Sequence, residues 1–247
     1  MTIESKNDLT AMRAIGKLVA EALREMRAAL APKMTTEQLD EIGAKFLRRH
    51  GARSAPQLTY DFPGFNCISV NDGVVHGIPN NHPLAAGDVV KIDVTAELDG
   101  YIADAAITAV IPPVTPATEK LVQSAQAAFE RAFRVAKSGV RVSELGRQVE
   151  TEVNRWGFSV IHDMCGHGVG RALHEQPSVP NFFSPFTPGV LSEGLVIALE
   201  PIICESPTDV YEDEDGWTIR TGNGCLAAHY EHTILIHEGR AEILTAA

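Results

Sequence analysis

Residues 89–110 read VVKIDVTAELDGYIADAAITAV, and this segment carries the clearest structural pattern in the chain. At its centre stands Asp-Gly, a dipeptide typical of a two-residue β-hairpin turn. Before the turn, apolar and polar residues alternate, so that apolar side chains share one face of a strand and polar side chains the other. The polar positions are Lys91, Asp93, Thr95 and Glu97. The segment therefore predicts a long antiparallel hairpin with one apolar and one polar face.

The register of this hairpin would bring two aspartates together. A two-residue turn pairs Thr95 with Asp104 and Asp93 with Ala106. Asp93 and Asp104 are then diagonal neighbours on the polar face, about 7–8 Å apart at the backbone. Because aspartate is a poor strand residue, two of them on one face need a reason. Either the polar face is solvated, or the two carboxylates bind a cation.

Helices are expected on both sides of the hairpin in the chain. Before it, a long amphipathic helix is followed by a helix that begins at Thr35 and ends at Gly51. After it, one helical segment is followed by another that opens at Ser143 and closes at Gly157. Thr35 and Ser143 are 108 residues apart, and the two glycines 106. Two helices followed by strands thus occur twice, which predicts an internal duplication.

The duplication predicts an α+β fold with two related halves. Each half would place its helices over one face of a shared antiparallel sheet, about a pseudo-twofold axis. Since no linker rich in Gly, Ser or Pro separates the halves, we expect a single catalytic domain over residues 1–247, with halves of about 1–112 and 113–247. Asp93 and Glu200 are 107 residues apart, so the repeat would bring them to equivalent places.

The composition excludes several classes of function. A formal net charge of -11 over 247 residues argues against a general affinity for nucleic acid or acidic lipid. No apolar run approaches the roughly 20 residues that span a bilayer, and the first residues lack the pattern of a secretory signal. The four cysteines are scattered, unlike those of a disulfide scaffold or a structural zinc site. We therefore expect a cytoplasmic protein that binds no nucleic acid directly and no membrane.

Other candidate ligands lie further along the chain. Glu200 closes the apolar run LVIALE, and Glu231 lies in AAHYEHTILI. Because a buried carboxylate is costly unless it is paired, each glutamate predicts either a salt bridge or a metal ligand. His167 lies in CGHGVG, where glycines would let the backbone come close and expose the imidazole. A single histidine is more often structural than a ligand.

Taken together, these residues predict a metal centre. One imidazole with four carboxylates suits two divalent cations such as Mn²⁺, Fe²⁺ or Co²⁺. Two bridging carboxylates would hold the ions about 3.5–4 Å apart, and a shared water would become hydroxide near neutral pH and attack a carbonyl or phosphoryl centre. The proposed ligands are Asp93, Asp104, His167, Glu200 and Glu231.

Five motifs, in this order, resemble those of the methionine aminopeptidase family, in its short bacterial type. They are VVHGIP (74–79), KIDVT with DGYIAD (91–95 and 99–104), CGHGVGRALHEQP (165–177), ALEP (198–201) and YEHT (230–233). The resemblance covers nearly the whole chain. It implies the pita-bread fold and two divalent ions per chain (Mn, Fe, Co or Zn). The implied activity is removal of the initiator methionine from nascent proteins, preferably when the second residue is small, by a metal-activated bridging water.

The resemblance also implies a role for each ligand. Asp104 and Glu231 would bridge the two ions, and Glu231 would also shuttle the proton of the attacking water. Asp93 would complete the shell of one ion. His167 and Glu200 would complete that of the other.

Residues around the metal centre receive roles in the same way. His174 would contact the scissile carbonyl and its developing oxyanion, and His76 would reach the amide on the leaving side. Both histidines therefore count as catalytic and as substrate-binding. The pocket for the methionine side chain would be formed by Phe62, Cys67 and Trp217.

The chain departs from the family pattern at three places. Leu173 stands where an aromatic residue is usual, His229 replaces a usual glutamine, and the segment 59–67 is one residue shorter. These changes concern the shape of the pocket. Two alternatives share the fold: a prolidase or aminopeptidase P, which usually carries a large extra N-terminal domain, and a non-catalytic binding module, which typically loses ligands. The expected setting is a monomer that acts on nascent N-termini near the ribosome.

Overall fold

The computed structural model describes residues 1–246. Its helices are α1 (Lys6–Ala29), α2 (Thr36–Arg49), α3 (Ala55–Tyr60), α4 (Pro116–Val135) and α5 (Val142–Trp156). Its strands are β1 (Arg53–Ser54), β2 (Cys67–Val70), β3 (Gly73–Val75), β4 (Val89–Leu98), β5 (Tyr101–Val110), β6 (Ser159–Val160), β7 (Cys165–Gly168), β8 (Glu175–Pro180), β9 (Val196–Leu199), β10 (Ile202–Cys204), β11 (Val210–Glu212), β12 (Ile219–Thr221), β13 (Ala227–His229), β14 (His232–Leu235) and β15 (Glu242–Ile243). Within this range, no helix combines the length and the apolar character that crossing a membrane requires.

The central hairpin has the predicted register. Along β4 and β5, Thr95 pairs with Asp104 and Asp93 with Ala106. Residues 99–100 form the turn with φ angles of 52° and 82°, and positive φ at both central positions is what a type I′ turn requires. All strand pairs in the structure are antiparallel, as the α+β prediction expects.

The polar face of the hairpin is covered by protein. Lys91, Thr95 and Glu97 are all at most 6% exposed. The Lys91 ammonium donates to the carbonyl oxygen of Asn71 at 2.7 Å, and the Glu97 carboxylate pairs with Arg53 at 2.7 Å. The alternative of a solvated face is therefore wrong, because other segments fold over these side chains and satisfy them.

The apolar face of the hairpin packs against α1 and α2. Met12 and Ile15 of α1 share a buried cluster with Leu39 of α2 and with Ile92 and Val94 of β4. Burying one such side chain contributes about 1.5–3 kcal/mol, so this cluster is a main source of stability in the first half. Thr35, the predicted start of the second helix, caps α2 and forms a capping box with Gln38.

The second half repeats this arrangement. Phe129 of α4 and Val149 of α5 lie in one buried cluster with Ile197 of β9 and Ile234 of β14. The predicted cap at Ser143 is wrong, since α5 already begins at Val142. The backbone at this helix start bonds to the segment 189–190, and this tertiary contact takes the place of a side-chain cap.

One local prediction before the hairpin differs from the structure. The segment 55–60 is helical, as α3, where the sequence had suggested only two helices. Ser54 caps it and a proline lies in its first turn, both ordinary helix-start signals. Further on, β3 ends at Val75, inside the motif VVHGIP, because His76 adopts a φ of 58° that strand geometry does not allow.

The two halves meet along β5 in a contact that we call the seam. It comprises the residue pairs Ala106–Glu231, Asp104–Thr233 and Thr108–His229. Two backbone hydrogen bonds of 2.9 and 3.3 Å join the first pair. In each of the others, the threonine hydroxyl accepts from the opposite backbone N–H at 2.9 Å and donates to its carbonyl at 2.8 Å. The seam therefore fixes the backbone of acidic and imidazole residues from both halves.

Candidate active site

A cavity of about 570 Å³ lies beside the seam and the polar face of the hairpin. All ten residues that sequence analysis assigned to the site line it: Phe62, Cys67, His76, Asp93, Asp104, His167, His174, Glu200, Trp217 and Glu231. The fold thus gathers residues that are spread over some 170 positions of the chain into one cavity. Their individual roles remain predictions.

The four carboxylates come from four different strand positions. Asp93 and Asp104 point from β4 and β5, Glu200 follows β9 directly, and Glu231 directly precedes β14. The last three are only 2–8% exposed. The hydroxyl of Thr95 donates to Oδ1 of Asp104 at 2.7 Å, which fixes the orientation of that carboxylate.

His167 is held on β7, between β8 and β9. A Cβ on Gly166 would lie 2.4 Å from the carbonyl oxygen of Ala198, and one on Gly168 would lie 2.2 Å from that of Gln176. The two glycines therefore allow β7 to lie close to both β8 and β9. A close approach of the backbone at these glycines is what the sequence suggested. Nδ1 of His167 bonds to the Gly168 carbonyl at 3.0 Å, so Nδ1 carries the proton and Nε2 is free to bind a cation.

The free nitrogen of His167 faces the carboxylates. Nε2 lies 3.4 Å from Oε1 of Glu200 and 3.9 Å from Oδ2 of Asp104. Ligand atoms of Asp104, His167 and Glu231 all lie within 4.8 Å of one another, and so do those of Glu200, His229 and Glu231. Glu231 belongs to both groups, as a bridging ligand would.

The electrostatics of this cluster require positive charge. Burial, and then the nearby Asp104, raise the pKa of Asp93 and Glu231 well above the usual range for a carboxyl group, and the same two causes raise the pKa of Glu200. Among the described residues, Oδ1 of Asp93 and Oε1 of Glu231 have no hydrogen-bond partner. Carboxylate oxygens left without partners, together with an imidazole nitrogen, form a donor set that fits divalent cations.

Two histidines line the cavity near this cluster. The rings of His174 and His167 are 4.3 Å apart at their centroids. Burial, with a contribution from His167, lowers the pKa of His174 to about 4, and burial also lowers the pKa of His76. Both imidazoles are therefore neutral near pH 7, and each has one N–H to donate.

Tyr60 is a site residue that sequence analysis missed. Its hydroxyl lies 2.6 Å from Nδ1 of His174. A neutral imidazole that accepts this hydroxyl proton at Nδ1 keeps its own proton on Nε2. Tyr60 stands only two residues before Phe62 in the chain, but no pattern in the sequence singles it out.

The apolar part of the cavity contains the residues predicted to bind a methionine side chain. The rings of Phe62 and Trp217 meet edge to face, with centroids 5.2 Å apart. Cys67 pairs with Asp93 in the ladder between β2 and β4, and burial raises the pKa of its thiol well above the usual range. The thiol is therefore neutral and acts as part of the apolar wall, with the buried Leu173 as a further lining residue.

Comparison with known proteins identifies the family. The sequence profile of the metallopeptidase family M24 matches residues 10–238. The chain belongs to this family. It is 42% identical over 247 residues to methionine aminopeptidase 2 of Bacillus subtilis, across 99% of each sequence. It is 37% identical over 243 residues to methionine aminopeptidase of Clostridium perfringens, across 98% of each.

Solved structures of M24 relatives have the same fold. Methionine aminopeptidase of Thermotoga maritima superimposes with a TM-score of 0.96 at 36% identity, over 100% of both chains. A prolidase of Pyrococcus furiosus superimposes with a TM-score of 0.81 at 22% identity, over 100% of this chain and 66% of the prolidase. The pita-bread fold and the family expected from the motifs are therefore confirmed.

Proposed function

We propose that this protein is a methionine aminopeptidase that removes the initiator methionine from nascent proteins, preferably when the second residue is small. The observation that carries the proposal is one cavity in which a buried cluster of carboxylates and an imidazole meets an apolar pocket. The close relatives in Bacillus subtilis and Clostridium perfringens carry the same activity in their names. The distant prolidase supports the fold alone.

Five residues would hold two divalent cations, Mn, Fe, Co or Zn. Asp104 and Glu231 would be the shared ligands, with Asp93 on one side and His167 and Glu200 on the other. Bound cations would neutralise the carboxylates, polarise the scissile carbonyl and lower the pKa of a water molecule. Without cations, the raised pKa values of Asp93, Glu200 and Glu231 favour the protonated carboxyl groups. Cations would have to displace these protons in order to bind.

The residues of the chain itself carry the proton transfers. His174, held in its Nε2–H form by Tyr60, donates to the carbonyl oxygen of the scissile bond and stabilises the negative charge that develops there. Glu231 accepts the proton of the attacking water at a carboxylate oxygen and returns it to the leaving amine. His76 binds the amide on the leaving side.

The shape of the cavity accounts for the choice of substrate. Phe62, Cys67 and Trp217 form an apolar wall for an unbranched thioether side chain. The free α-amino group of a chain terminus would bind one of the cations, which favours an exopeptidase over an enzyme that cuts inside a chain. The reaction would take place in the cytoplasm on nascent N-termini near the ribosome, with the protein as a monomer.

Release of methionine from a Met-Gly-Gly peptide tests the proposal. After chelation, the protein should be inactive, and added Co²⁺ or Mn²⁺ should restore the release of methionine. Cleavage of X-Pro peptides instead would identify a prolidase-like enzyme. No cleavage with any divalent ion would identify a binding module.

Two substitutions test the assignment of roles. Glu231→Ala should lose bound metal and activity together, because it removes a shared ligand. His174→Ala should keep its metal but lose about 10²–10³-fold in kcat, the usual cost of removing one oxyanion donor. Metal content measured beside kcat separates the two effects, and retained activity in Glu231→Ala would contradict the assignment.

A further inference from the structure

His229 lies in the site but belongs to none of the roles described above. Its side chain is 3% exposed, and neither Nδ1 nor Nε2 has a hydrogen-bond partner among residues 1–246. An imidazole nitrogen buried without a partner is unfavourable, so native proteins rarely keep one without a reason. His229 is also one of the three places at which the chain departs from the pattern that the motifs resemble.

The position of the ring indicates a cation. Nε2 lies 3.3 Å from Oε2 of Glu231 and 3.5 Å from Oε2 of Glu200, yet in neither direction does it meet hydrogen-bond geometry. Two ligand atoms that each lie about 2.1 Å from one ion are roughly 3.0–3.4 Å apart. The distance to Glu231 lies within this range and the distance to Glu200 just above it, and ligand atoms of all three residues lie within 4.8 Å of one another.

We propose that His229 is a sixth protein ligand of the metal centre, binding through Nε2 the cation that Glu200 and Glu231 hold. The inference rests on the proposed function, because the same carboxylates form that centre. With His229, the metal centre would have two imidazole ligands, whereas the motifs imply only one, His167.

Hydrogen bonds hold the backbone of His229 in place. Across the seam, Thr108 bonds to both its N–H and its carbonyl, and within the sheet of β10 and β13 it pairs with Ile202. The carbonyl of Glu200 accepts a hydrogen bond of 2.9 Å from the buried Asn181. Both residues therefore start from rigid positions, which is how protein ligands are held ready for an ion.

A second imidazole has a consequence for metal selectivity. Imidazole nitrogen binds Co²⁺, Fe²⁺ and Zn²⁺ more readily than Mn²⁺, whereas carboxylates suit Mn²⁺ well. His229 should therefore shift the preference of the centre away from Mn²⁺. Replacement by glutamine should move it back.

The test compares wild type with His229→Gln, both chelated and reloaded with Co²⁺. Paramagnetic proton NMR counts the imidazoles bound to the ion, since their exchangeable N–H signals are strongly shifted. Wild type should show two such signals and His229→Gln one. In calorimetric titrations, Co²⁺ should bind the variant at least about tenfold more weakly, while affinity for Mn²⁺ changes less. His82→Gln, at an exposed histidine outside the cavity, is the matched control and should match wild type.

The possible results separate this inference from the proposed function. A single shifted imidazole in wild type overturns the inference, and this measurement needs no variant to fold. Unchanged Co²⁺ affinity in a His229→Gln protein with wild-type circular dichroism also overturns it. In both cases the proposed function stands, provided that wild type binds metal and releases methionine. A wild type that binds no divalent cation overturns both.

Discussion

The hydroxyl of Tyr60 bears on which ring nitrogen of His174 carries the proton, through a single hydrogen bond. The pair is 2.6 Å apart, and the tyrosine is 45% exposed at the cavity, so the contact is accessible to substitution without disturbing the core. The bond keeps the imidazole proton on Nε2. The hydroxyl therefore contributes to the reaction by orienting the imidazole. The metal ligands are not involved.

Tyr60→Phe should therefore lower kcat and leave the metal content unchanged. A neutral hydrogen bond contributes about 0.5–1.5 kcal/mol, which corresponds to a loss of roughly 2–10-fold. KM for Met-Gly-Gly should change little. Tyr211→Phe, at an exposed tyrosine outside the cavity, is the control. A Tyr60→Phe protein with unchanged kcat would show that the contact does not orient His174.

Among single residues, the sequence predicts the site residues that lie in recognisable motifs. Asp93 and Asp104 follow from the hairpin register, and the others from motif order. Tyr60 could not be predicted as a site residue, because its role depends on contact with His174, 114 positions further along the chain. The sequence marks His229 only as a departure from the family pattern.

Among the elements, β7 depends on having no side chain at two positions. Gly168→Ala would place a Cβ 2.2 Å from the Gln176 carbonyl, so β7 and β8 must separate. We expect a loss of about 3 kcal/mol in the free energy of unfolding, the upper part of the usual range for overpacking. Urea denaturation measures it. Gly239→Ala, where nothing lies within 4 Å, should cost far less, and equal losses would contradict the explanation.

The hydroxyl of Thr233 joins β14 to β5 by bonding to both backbone groups of Asp104. Thr233→Val keeps the shape but leaves a buried N–H and a buried carbonyl unsatisfied, at about 1–3 kcal/mol each. We expect the variant to be about 2–4 kcal/mol less stable and to bind metal more weakly, since Asp104 is a proposed shared ligand.

Denaturation and metal titration of the same preparation check both effects. Thr151→Val, at an exposed position on α5, is the matched control and should change neither quantity. Unaltered metal affinity in a destabilised Thr233→Val protein would show that the hydroxyl supports the fold but does not position Asp104.

The elements that local patterns determine could be predicted from the sequence. The β4–β5 hairpin needs only alternation and an Asp-Gly turn, and α2 only a capping box and an amphipathic face. The short helix α3 also carries local signals, the cap Ser54 and a proline in its first turn, although the prediction did not include it. The end of β3 at Val75 and the start of α5 could not be predicted, because the backbone there is set by an unusual φ angle or by a distant segment, which no local pattern records.

For the whole molecule, bound cations and stability are linked. The raised pKa values of Asp93, Glu200 and Glu231 mean that the metal-free folded protein binds more protons than the unfolded chain above about pH 5. Its stability from these groups therefore falls as the pH rises. Cations replace those protons, and an ion at 100 times its Kd adds about 2.7 kcal/mol.

Loaded and chelated protein should accordingly differ more in stability at pH 8 than at pH 5. Urea midpoints of both forms at the two pH values measure the difference. The difference in stability is smaller at pH 5 because protons compete with cations for the same carboxylate oxygens at the lower pH. An equal difference at both pH values would mean that these carboxylates do not hold the ions.

We propose that residues 1–247 act as one catalytic domain whose halves, about 1–112 and 113–247, are not independent. Each half has its own helices, but the buried cluster under α1 and α2 also contains Val169, Val196 and Leu235 of the second half, and the proposed ligands come from both halves. The halves should therefore unfold in a single transition.

The seam also makes the proposed site depend on the order in which the two halves are synthesised. Asp104 is held by Thr233, whose own N–H donates to the hydroxyl of Thr245. A growing chain that has been synthesised only as far as β13 lacks both threonines, so its Asp104 does not yet have this support from the second half.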